Sequence, residues 1–274
     1  MDVYYPVNAP ADGKTPILFF IYGGGFTAGD RILPPPFSLG YACVGAYFAQ
    51  RGFITIIPDY RLVPHVRFPS PAEDVRDAMS WVVKHPQILI SRYVPEPDVD
   101  SLFLMGHSSG AVHAATALFH PELLESTNLQ PRIKGVILCS GGYHFQPVGI
   151  KTDYGELMGK YWGGVEETKK QDPLGLFNSA SDEKIAGLPD VLLVEAERDS
   201  DWMKVVGKDF YQALQARRGV RVKKIFGKGH NHISLNWALG TGQGEEWAEE
   251  MIGWMQSILS RPGAASVEDV PNAT

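Results

Sequence analysis

The sequence is poor in cysteine, in long apolar runs and in positive charge. Its 274 residues include only two cysteines, Cys43 and Cys139, which cannot build a disulfide framework and are expected to be small buried hydrophobes. No uninterrupted apolar run approaches roughly 18 residues, so no transmembrane helix is predicted. The net charge of −6 gives the chain no overall electrostatic reason to bind nucleic acid or an anionic membrane, and no nucleic-acid partner is predicted.

The first residues, Met-Asp-Val-Tyr-Tyr-Pro, lack the basic start and apolar run of a secretory signal peptide. Because no membrane span is predicted either, we expect a soluble, cytoplasmic protein. Apolar residues make up 44% of the chain and charged residues 20%, which is typical of a globular chain with a sizeable core. We predict one domain over residues 1–261 and a disordered polar tail over residues 262–274.

Short apolar runs alternate with segments of helical period. Five runs are rich in branched or aromatic residues and are bounded by Gly, Pro or polar residues, as doubly buried strands are: 17–22, 53–57, 102–105, 135–139 and 191–194. Residues 220–226 alternate apolar and polar side chains, which predicts a strand nearer the sheet edge. Amphipathic helices are predicted after Pro71, over 206–214 and over 247–258. The pattern predicts an α/β fold with a mostly parallel central sheet and helices on both faces.

Residues 141–187 interrupt this alternation. They are rich in Gly, Tyr, Trp and Lys and show no strong period. A long insert beside the sheet of an α/β protein is typically a lid or a pocket wall, and a surface excursion is the alternative. We therefore predict a small lid or pocket-wall insert at this position.

The strongest motif is Gly-His-Ser-Ser-Gly at residues 106–110, which leaves an apolar strand and enters a helix of small residues. A serine on such a sharp turn needs neighbours without bulky side chains, and Gly106 and Gly110 meet that need. The motif predicts Ser108 as a nucleophile. Ser109 is the less favoured alternative because the glycines are centred on Ser108.

A glycine-rich loop, Gly-Gly-Gly-Phe at residues 23–26, follows the first apolar strand. Attack on a carbonyl group places negative charge on its oxygen, which preoriented backbone amides stabilise. The predicted oxyanion-hole donors are the amides of Gly24, Gly25 and Ser109. A phosphate-binding loop is disfavoured, because neither the dinucleotide fingerprint nor the Gly-Lys-[Ser/Thr] signature occurs here.

A serine hydroxyl needs a base to take its proton and an acid to orient that base. Asp199 is the predicted acid because it follows a strand at its carboxyl end, with Glu195 and Glu197 as alternatives. His232 is the predicted base, and His230 is its rival. The order serine, acid, histidine is a known order of a catalytic triad. Although His230 and His232 could share a face, no further ligand cluster lies nearby in sequence, so neither a metal nor a cofactor is predicted. The other six histidines are expected to be structural or exposed.

The combined motifs resemble the hormone-sensitive-lipase-like carboxylesterase branch of the α/β-hydrolases (the α/β-hydrolase fold-3 group). The resemblance is carried by residues 18–29, 59–64, 68–69, 74–81 and 106–110 and extends over most of the chain. It implies a serine carboxylic-ester hydrolase of the α/β-hydrolase fold that acts on a small-molecule ester without a cofactor. It also implies roles for the catalytic residues Ser108, Asp199 and His232 and for the oxyanion donors Gly24, Gly25 and Ser109.

The sequence departs from that branch in three places. Tyr22 stands where histidine is usual, so the hydrogen bonds that support the glycine loop must differ, and His65 replaces a usual glutamate. The sequence also begins close to the glycine-loop strand, which predicts a more open site walled by residues 141–187. Asp59 and Arg61 match family positions that we interpret as structural rather than catalytic.

Two other functions remain open from the sequence. An amidase or formamidase, such as a formylkynurenine hydrolase, would use the same triad and differ only in its pocket contacts. A non-catalytic ligand-binding protein on this scaffold is disfavoured because serine, acid and histidine are all present. Phe26, Tyr143 and Trp202 are candidate pocket residues, although aromatic side chains are more often part of the core.

Overall fold

The structure is a computed structural model that describes residues 1–7, 13–92, 94, 96–146 and 153–261. The predicted tail and part of the 141–187 segment lie outside these residues. Seven strands of the described chain form one sheet: β1 (Asp2–Tyr4), β2 (Thr15–Ile21), β3 (Ile54–Ile57), β4 (Pro97–His107), β5 (Ile133–Cys139), β6 (Asp190–Ala196) and β7 (Val222–Gly227). Their order is β1-β3-β2-β4-β5-β6-β7, and only β1 runs antiparallel to its neighbour. The predicted mostly parallel sheet is confirmed.

Each of the five apolar runs corresponds to a strand, although Tyr22 and Phe53 lie just outside β2 and β3. Two further boundaries and one omission need correction. Strand β4 begins at Pro97, before the predicted residue 102, because its first half carries polar residues that give no apolar signal. The last strand begins at Val222 rather than at residue 220, because Gly219 has a φ of 58° and a short 3-10 turn follows it. Val220 is consequently exposed. The three-residue β1 was not predicted, since it is too short to show a period.

The helices of the described residues are α1 (Ala42–Ala49), α2 (Ser70–Lys84), α3 (Ser109–Phe119), α4 (Asp153–Tyr161), α5 (Val165–Gln171), α6 (Pro173–Ser179), α7 (Asp182–Ala186), α8 (Asp201–Arg218), α9 (Ser234–Trp237) and α10 (Glu246–Leu259). Helices α1 and α10 share one face of the sheet, where the Tyr47 hydroxyl donates to the Glu249 carboxylate at 2.8 Å. Helices α2, α3, α6 and α8 pack in sequence on the other face. Among these helices, none has both the length and the apolar content needed to cross a bilayer.

The described part of the 141–187 segment contains helices α4 to α7. Each has nine residues or fewer, which is too short for a clear helical period in the sequence. Helices α6 and α7 are both capped at their N-termini, by the side chains of Asp172 and Ser181. Apolar side chains of α4 pack with Phe26 of the glycine loop, with Val63 and with Val112 of α3. The segment therefore lies against the carboxyl edge of the sheet, where the predicted site residues are found.

Candidate active site

Ser108 occupies a sharp turn between β4 and α3. Its φ of 56° and ψ of −125° are unusual for a residue with a side chain, so the turn is strained. The flanking glycines allow the close approach of backbone that this turn requires. A Cβ at Gly106 would lie 2.4 Å from the carbonyl oxygen of Gly110, and one at Gly110 would lie 2.1 Å from that of Ile21. Larger residues at either position would push the turn away from its neighbours.

The side chains of Ser108, Asp199 and His232 lie in one hydrogen-bonded line. The Nε2 atom of His232 is 3.0 Å from Oγ of Ser108, and its Nδ1 atom is 2.9 Å from Oδ1 of Asp199. In the neutral imidazole, Nδ1–H donates to the carboxylate and Nε2 accepts from the hydroxyl. The structure thus brings together the three side chains that the sequence predicts, from the carboxyl ends of β4, β6 and β7.

The two rival residues hold different positions. His230 is buried, with Nε2 donating to the carbonyl oxygen of Gly244 at 2.7 Å and Nδ1 lying 3.2 Å from the Ser234 hydroxyl. Both of its ring nitrogens are therefore engaged away from Ser108. Ser109 is the first residue of α3, and its buried hydroxyl lies beside the Tyr60 hydroxyl. Neither rival has the geometry of the Ser108–His232 pair.

The alternative acids support the surrounding structure. The carboxylate of Glu195 is 2.8 Å from the ammonium of Lys224 on the neighbouring strand β7. The carboxylate of Glu197 accepts the backbone N–H of Gly229 at 2.7 Å, which holds the loop that carries His232. The structure therefore brings Asp199, and neither glutamate, to the histidine.

The Asp199 carboxylate has two further partners that the sequence did not reveal. Its Oδ2 atom accepts the hydroxyl of Ser140, at the end of β5, and the backbone N–H of Ala196 at 3.1 Å. Burial alone would raise the pKa of Asp199, but hydrogen bonds from His232 and Ser140 outweigh it and hold the pKa below its ordinary value. The acid is therefore kept ionised and oriented toward His232.

His107, one of the six histidines expected to be structural or exposed, also supports the site. Its Nε2 atom donates to the backbone carbonyl of His232 at 2.9 Å, and the two rings lie 4.7 Å apart. Burial, followed by the proximity of His232, lowers the pKa of His107 to about 3, so the ring stays neutral. The signal available in the sequence was its position directly before Ser108.

The glycine loop packs directly against Ser108. A Cβ at Gly23 would lie 2.8 Å from Cβ of Ser108. Gly24, Gly25 and Phe26 have φ values of 152°, 61° and 69°, a left-handed path that glycine adopts far more readily than phenylalanine does. This path carries the backbone of the loop past the serine.

The three amides predicted as oxyanion donors are free to bind a ligand. Within the described chain, the N–H groups of Gly24, Gly25 and Ser109 donate no hydrogen bond. Gly25 and Ser109 line the cavity beside Ser108, whereas Gly24 is absent from its lining. The geometry therefore supports Gly25 and Ser109 as oxyanion donors more directly than it supports Gly24.

A cavity of about 270 Å³ opens at Ser108 and His232. Apart from the polar site residues its walls are mainly apolar, formed by Phe26, Val112, Phe145, Trp202 and Met203. Two of the three candidate pocket aromatics thus lie in the lining. Tyr143 instead stacks on Phe210 at 4.5 Å between ring centres, inside the core.

Within the described ranges, no group of three His, Cys, Asp or Glu side chains could hold a metal ion. The ring nitrogens of His230 and His232 are also bound to different partners. The hydrogen-bonded line of Ser108, His232 and Asp199 can supply proton transfer and nucleophilic attack, and the backbone amides beside it can bind an anionic oxygen.

Comparison with known proteins agrees with this architecture. A family model described as alpha/beta hydrolase fold matches residues 18–236. The chain belongs to the α/β-hydrolase family. This membership confirms both the predicted fold class and the resemblance found in the sequence.

Several relatives of this α/β-hydrolase are named esterases. It is 27% identical over 248 residues to a probable isoprenylcysteine alpha-carbonyl methylesterase of Arabidopsis thaliana, covering 86% of this chain and 54% of that protein. It is 33% identical over 117 residues to a probable carboxylesterase of a Phoma species, covering 41% of this chain and 35% of that protein. The chain spans about half the length of the first curated relatives that it matches.

Solved structures agree on the fold. Carboxyl esterase 2 of the fungus Tuber melanosporum superimposes with a TM-score of 0.69 at 23% identity. The match covers 94% of this chain and 81% of that one. At this identity, the likeness establishes the shared fold and leaves the substrate open.

Proposed function

We propose that this chain is a serine carboxylic-ester hydrolase that acts on small or short-chain esters. The observation that carries the proposal is the position of the His232 imidazole, within 3.0 Å of Ser108 and 2.9 Å of Asp199. The esterase names of its relatives support the same reaction class. The free amides beside Ser108 supply the remaining requirement, a site for a developing oxyanion.

In the first half of the reaction, Oγ of Ser108 attacks the ester carbonyl carbon while Nε2 of His232 takes the hydroxyl proton. The Asp199 carboxylate stabilises the imidazolium that forms. The carbonyl oxygen becomes an oxyanion and accepts hydrogen bonds from the amides of Gly25 and Ser109, with Gly24 as a third donor. The carbon–oxygen bond to the alcohol then breaks, and His232 gives its proton to the leaving alcohol oxygen.

In the second half, water hydrolyses the acyl group that remains on Ser108. His232 takes a proton from the water as its oxygen attacks the acyl carbonyl carbon, and the same amides hold the second oxyanion. The bond to Oγ of Ser108 then breaks, and the proton on His232 returns to Oγ. The carboxylic acid leaves, and the enzyme is restored without any cofactor.

The cavity sets the size and polarity of the substrate. The volume of about 270 Å³ lies near the lower end of the range for small-molecule pockets in proteins, roughly 300 to 1,000 Å³. The apolar walls favour an uncharged substrate, because burying an unpaired charge against them is costly. We therefore propose a compact neutral ester, with the 141–187 segment as a wall of the pocket through Gly142 and Phe145. The cytoplasmic location stays a prediction.

Hydrolysis of p-nitrophenyl acetate by the purified protein tests the nucleophile. Ser108→Ala should lower the rate by several orders of magnitude, whereas Ser109→Ala keeps the backbone amide and the Ser108 hydroxyl and should retain most of the activity. Turnover by Ser108→Ala at the wild-type rate would remove the assignment.

The base is tested by two separate variants in the same assay. His232→Ala should remove activity, and His230→Ala should chiefly lower stability, because its ring bonds to Gly244 and Ser234 rather than to Ser108. The reverse result would exchange their roles. A panel of short, long and methyl esters, lactones and formamides then identifies the substrate class, including the amidase alternative.

A further inference from the structure

Tyr22, at the start of the glycine loop, has an unusual aromatic environment. Its ring stacks between those of Tyr41 and Tyr60, with centroid distances of 5.5 and 4.8 Å. All three rings are buried. The Tyr22 hydroxyl donates to the Asp59 carboxylate at 3.2 Å. This explains how the loop is supported where the related branch carries a histidine.

Segment 59–63 also forms two hydrogen bonds to the backbone of the glycine loop, one at the start of the loop and one at its end. The Tyr60 hydroxyl donates to the carbonyl oxygen of Tyr22 at 2.8 Å, and the N–H of Val63 donates to the carbonyl oxygen of Phe26 at 3.0 Å. Burial raises the pKa of Tyr60 well above its ordinary value, so its hydroxyl remains a donor. The two bonds enclose the three glycines of the loop.

The segment itself is firmly anchored to the rest of the fold. The backbone N–H of Arg61 and its guanidinium group bond to the Asp74 carboxylate of α2, at 2.8 to 3.0 Å. The Asp59 carboxylate also accepts a hydrogen bond from Arg31. Segment 59–63 is therefore a fixed support, against which the glycine loop is held.

We propose that segment 59–63 sets the geometry of the oxyanion loop and that Tyr60 is its positioning residue. The inference rests on the proposed function. Residues 24–26 follow a left-handed path, and within the described chain the one backbone hydrogen bond inside this loop runs from the N–H of Ala28 to the carbonyl of Gly24. A loop on this path needs hydrogen bonds from residues outside the loop to keep its backbone amides directed at the same substrate oxygen. The Tyr60 hydroxyl supplies such a bond directly before the glycines.

Tyr60→Phe removes this hydroxyl and retains the ring that stacks on Tyr22. Because the amides would be displaced rather than lost, we expect kcat for p-nitrophenyl acetate to fall about tenfold with KM within about twofold. The affinity for an alkyl trifluoromethyl ketone, whose tetrahedral adduct with Ser108 carries an oxyanion, should fall by the same factor as kcat/KM.

Tyr47→Phe is the matched control, since it also removes one hydroxyl from a buried tyrosine but at the α1–α10 contact. It should lower the melting temperature and leave kcat and ketone affinity unchanged. If Tyr60→Phe behaves in the same way, the proposal is overturned. If Tyr60→Phe does not fold, Tyr22→Phe, which breaks the bond to Asp59, should lower the same two quantities, and unchanged values would overturn the proposal.

The experiment separates this inference from the proposed function. A wild-type protein that does not hydrolyse the ester, or does so without Ser108, removes the proposed function. Wild-type activity that depends on Ser108, together with an unaffected Tyr60→Phe variant, removes only the role of segment 59–63.

Discussion

The buried carboxylate of Asp172 makes the stability of the fold depend on pH. It lies at the N-terminus of α6, where Oδ1 accepts the N–H of Gly175 at 2.8 Å, and the residue is 1% exposed. Burial raises its pKa to about 7, against the opposing effect of backbone N–H groups. The first turn of α6 is joined to the backbone between the cavity residues Gly142 and Phe145, because the N–H of Leu174 donates to the carbonyl of Tyr143.

The sign and size of the effect follow from this pKa. A folded pKa above the unfolded one means that the group stabilises the fold fully at low pH and loses this contribution as the pH rises through about 7. Each pH unit between the ordinary value of 3.8 and the folded value of about 7 corresponds to about 1.4 kcal/mol. The total is about 4 kcal/mol, of which roughly half or more is lost between pH 5 and pH 8.

Asp172→Asn tests this reasoning because asparagine keeps a capping oxygen and cannot ionise. Urea unfolding followed by circular dichroism at pH 5, 6, 7 and 8 should show the variant gaining stability over the wild type, by about 2 to 3 kcal/mol across the range. Asp201→Asn, at an exposed first-turn position of α8, is the control. Its free energy of unfolding should change between pH 5 and pH 8 in parallel with that of the wild type. Parallel curves for Asp172→Asn and the wild type would refute a raised pKa at this carboxylate.

Two further predictions concern the residues that support the triad. Ser140→Ala removes a hydrogen bond that favours ionised Asp199, so kcat should fall about tenfold and the acid limb of the pH–kcat/KM profile should move to higher pH; an unmoved acid limb would contradict this role. His107→Leu removes the donor to the His232 carbonyl and should lower kcat ten- to hundredfold with little change in KM, and His107→Gln should recover part of the loss. Steady-state kinetics of the three variants checks both predictions, and a larger change in KM than in kcat for His107→Leu would argue against positioning.

The central strands could be predicted because the pattern that identifies each strand lies within its own residues. Strands that are buried on both faces must be apolar throughout, so β2, β3, β5 and β6 are visible as short runs. Strand β1 has only three partly buried residues, and it is defined by its pairing with β3 rather than by its own pattern. Helices α4 to α7 were not predicted for a related reason. Because each helix is short, it is stabilised by tertiary packing rather than by a pattern within its own sequence.

The site residues could be predicted where the residue type and its neighbours in the sequence indicate the chemistry. Ser108 is identified by the steric need for glycine on either side, and that need is visible in the sequence. His230 and His232 differ in function only through partners far along the chain, such as Gly244 for the former and Ser108 for the latter. The supporting role of Ser140 has the same origin, because 59 residues separate it from Asp199.

The strand order explains why support for the acid comes from β5. Strand β5 lies between β4, which ends before Ser108, and β6, which ends before Asp199. Two strand spacings of about 4.8 Å put the ends of β4 and β6 about 10 Å apart, which is too far for a direct hydrogen bond between serine and carboxylate. The imidazole of His232 spans that gap by bonding to both side chains, and Ser140 directly follows β5, the strand between them. Ser140 therefore reaches the Asp199 carboxylate because of the topology, and a small hydrogen-bond donor at this position lets the acid stay both buried and ionised.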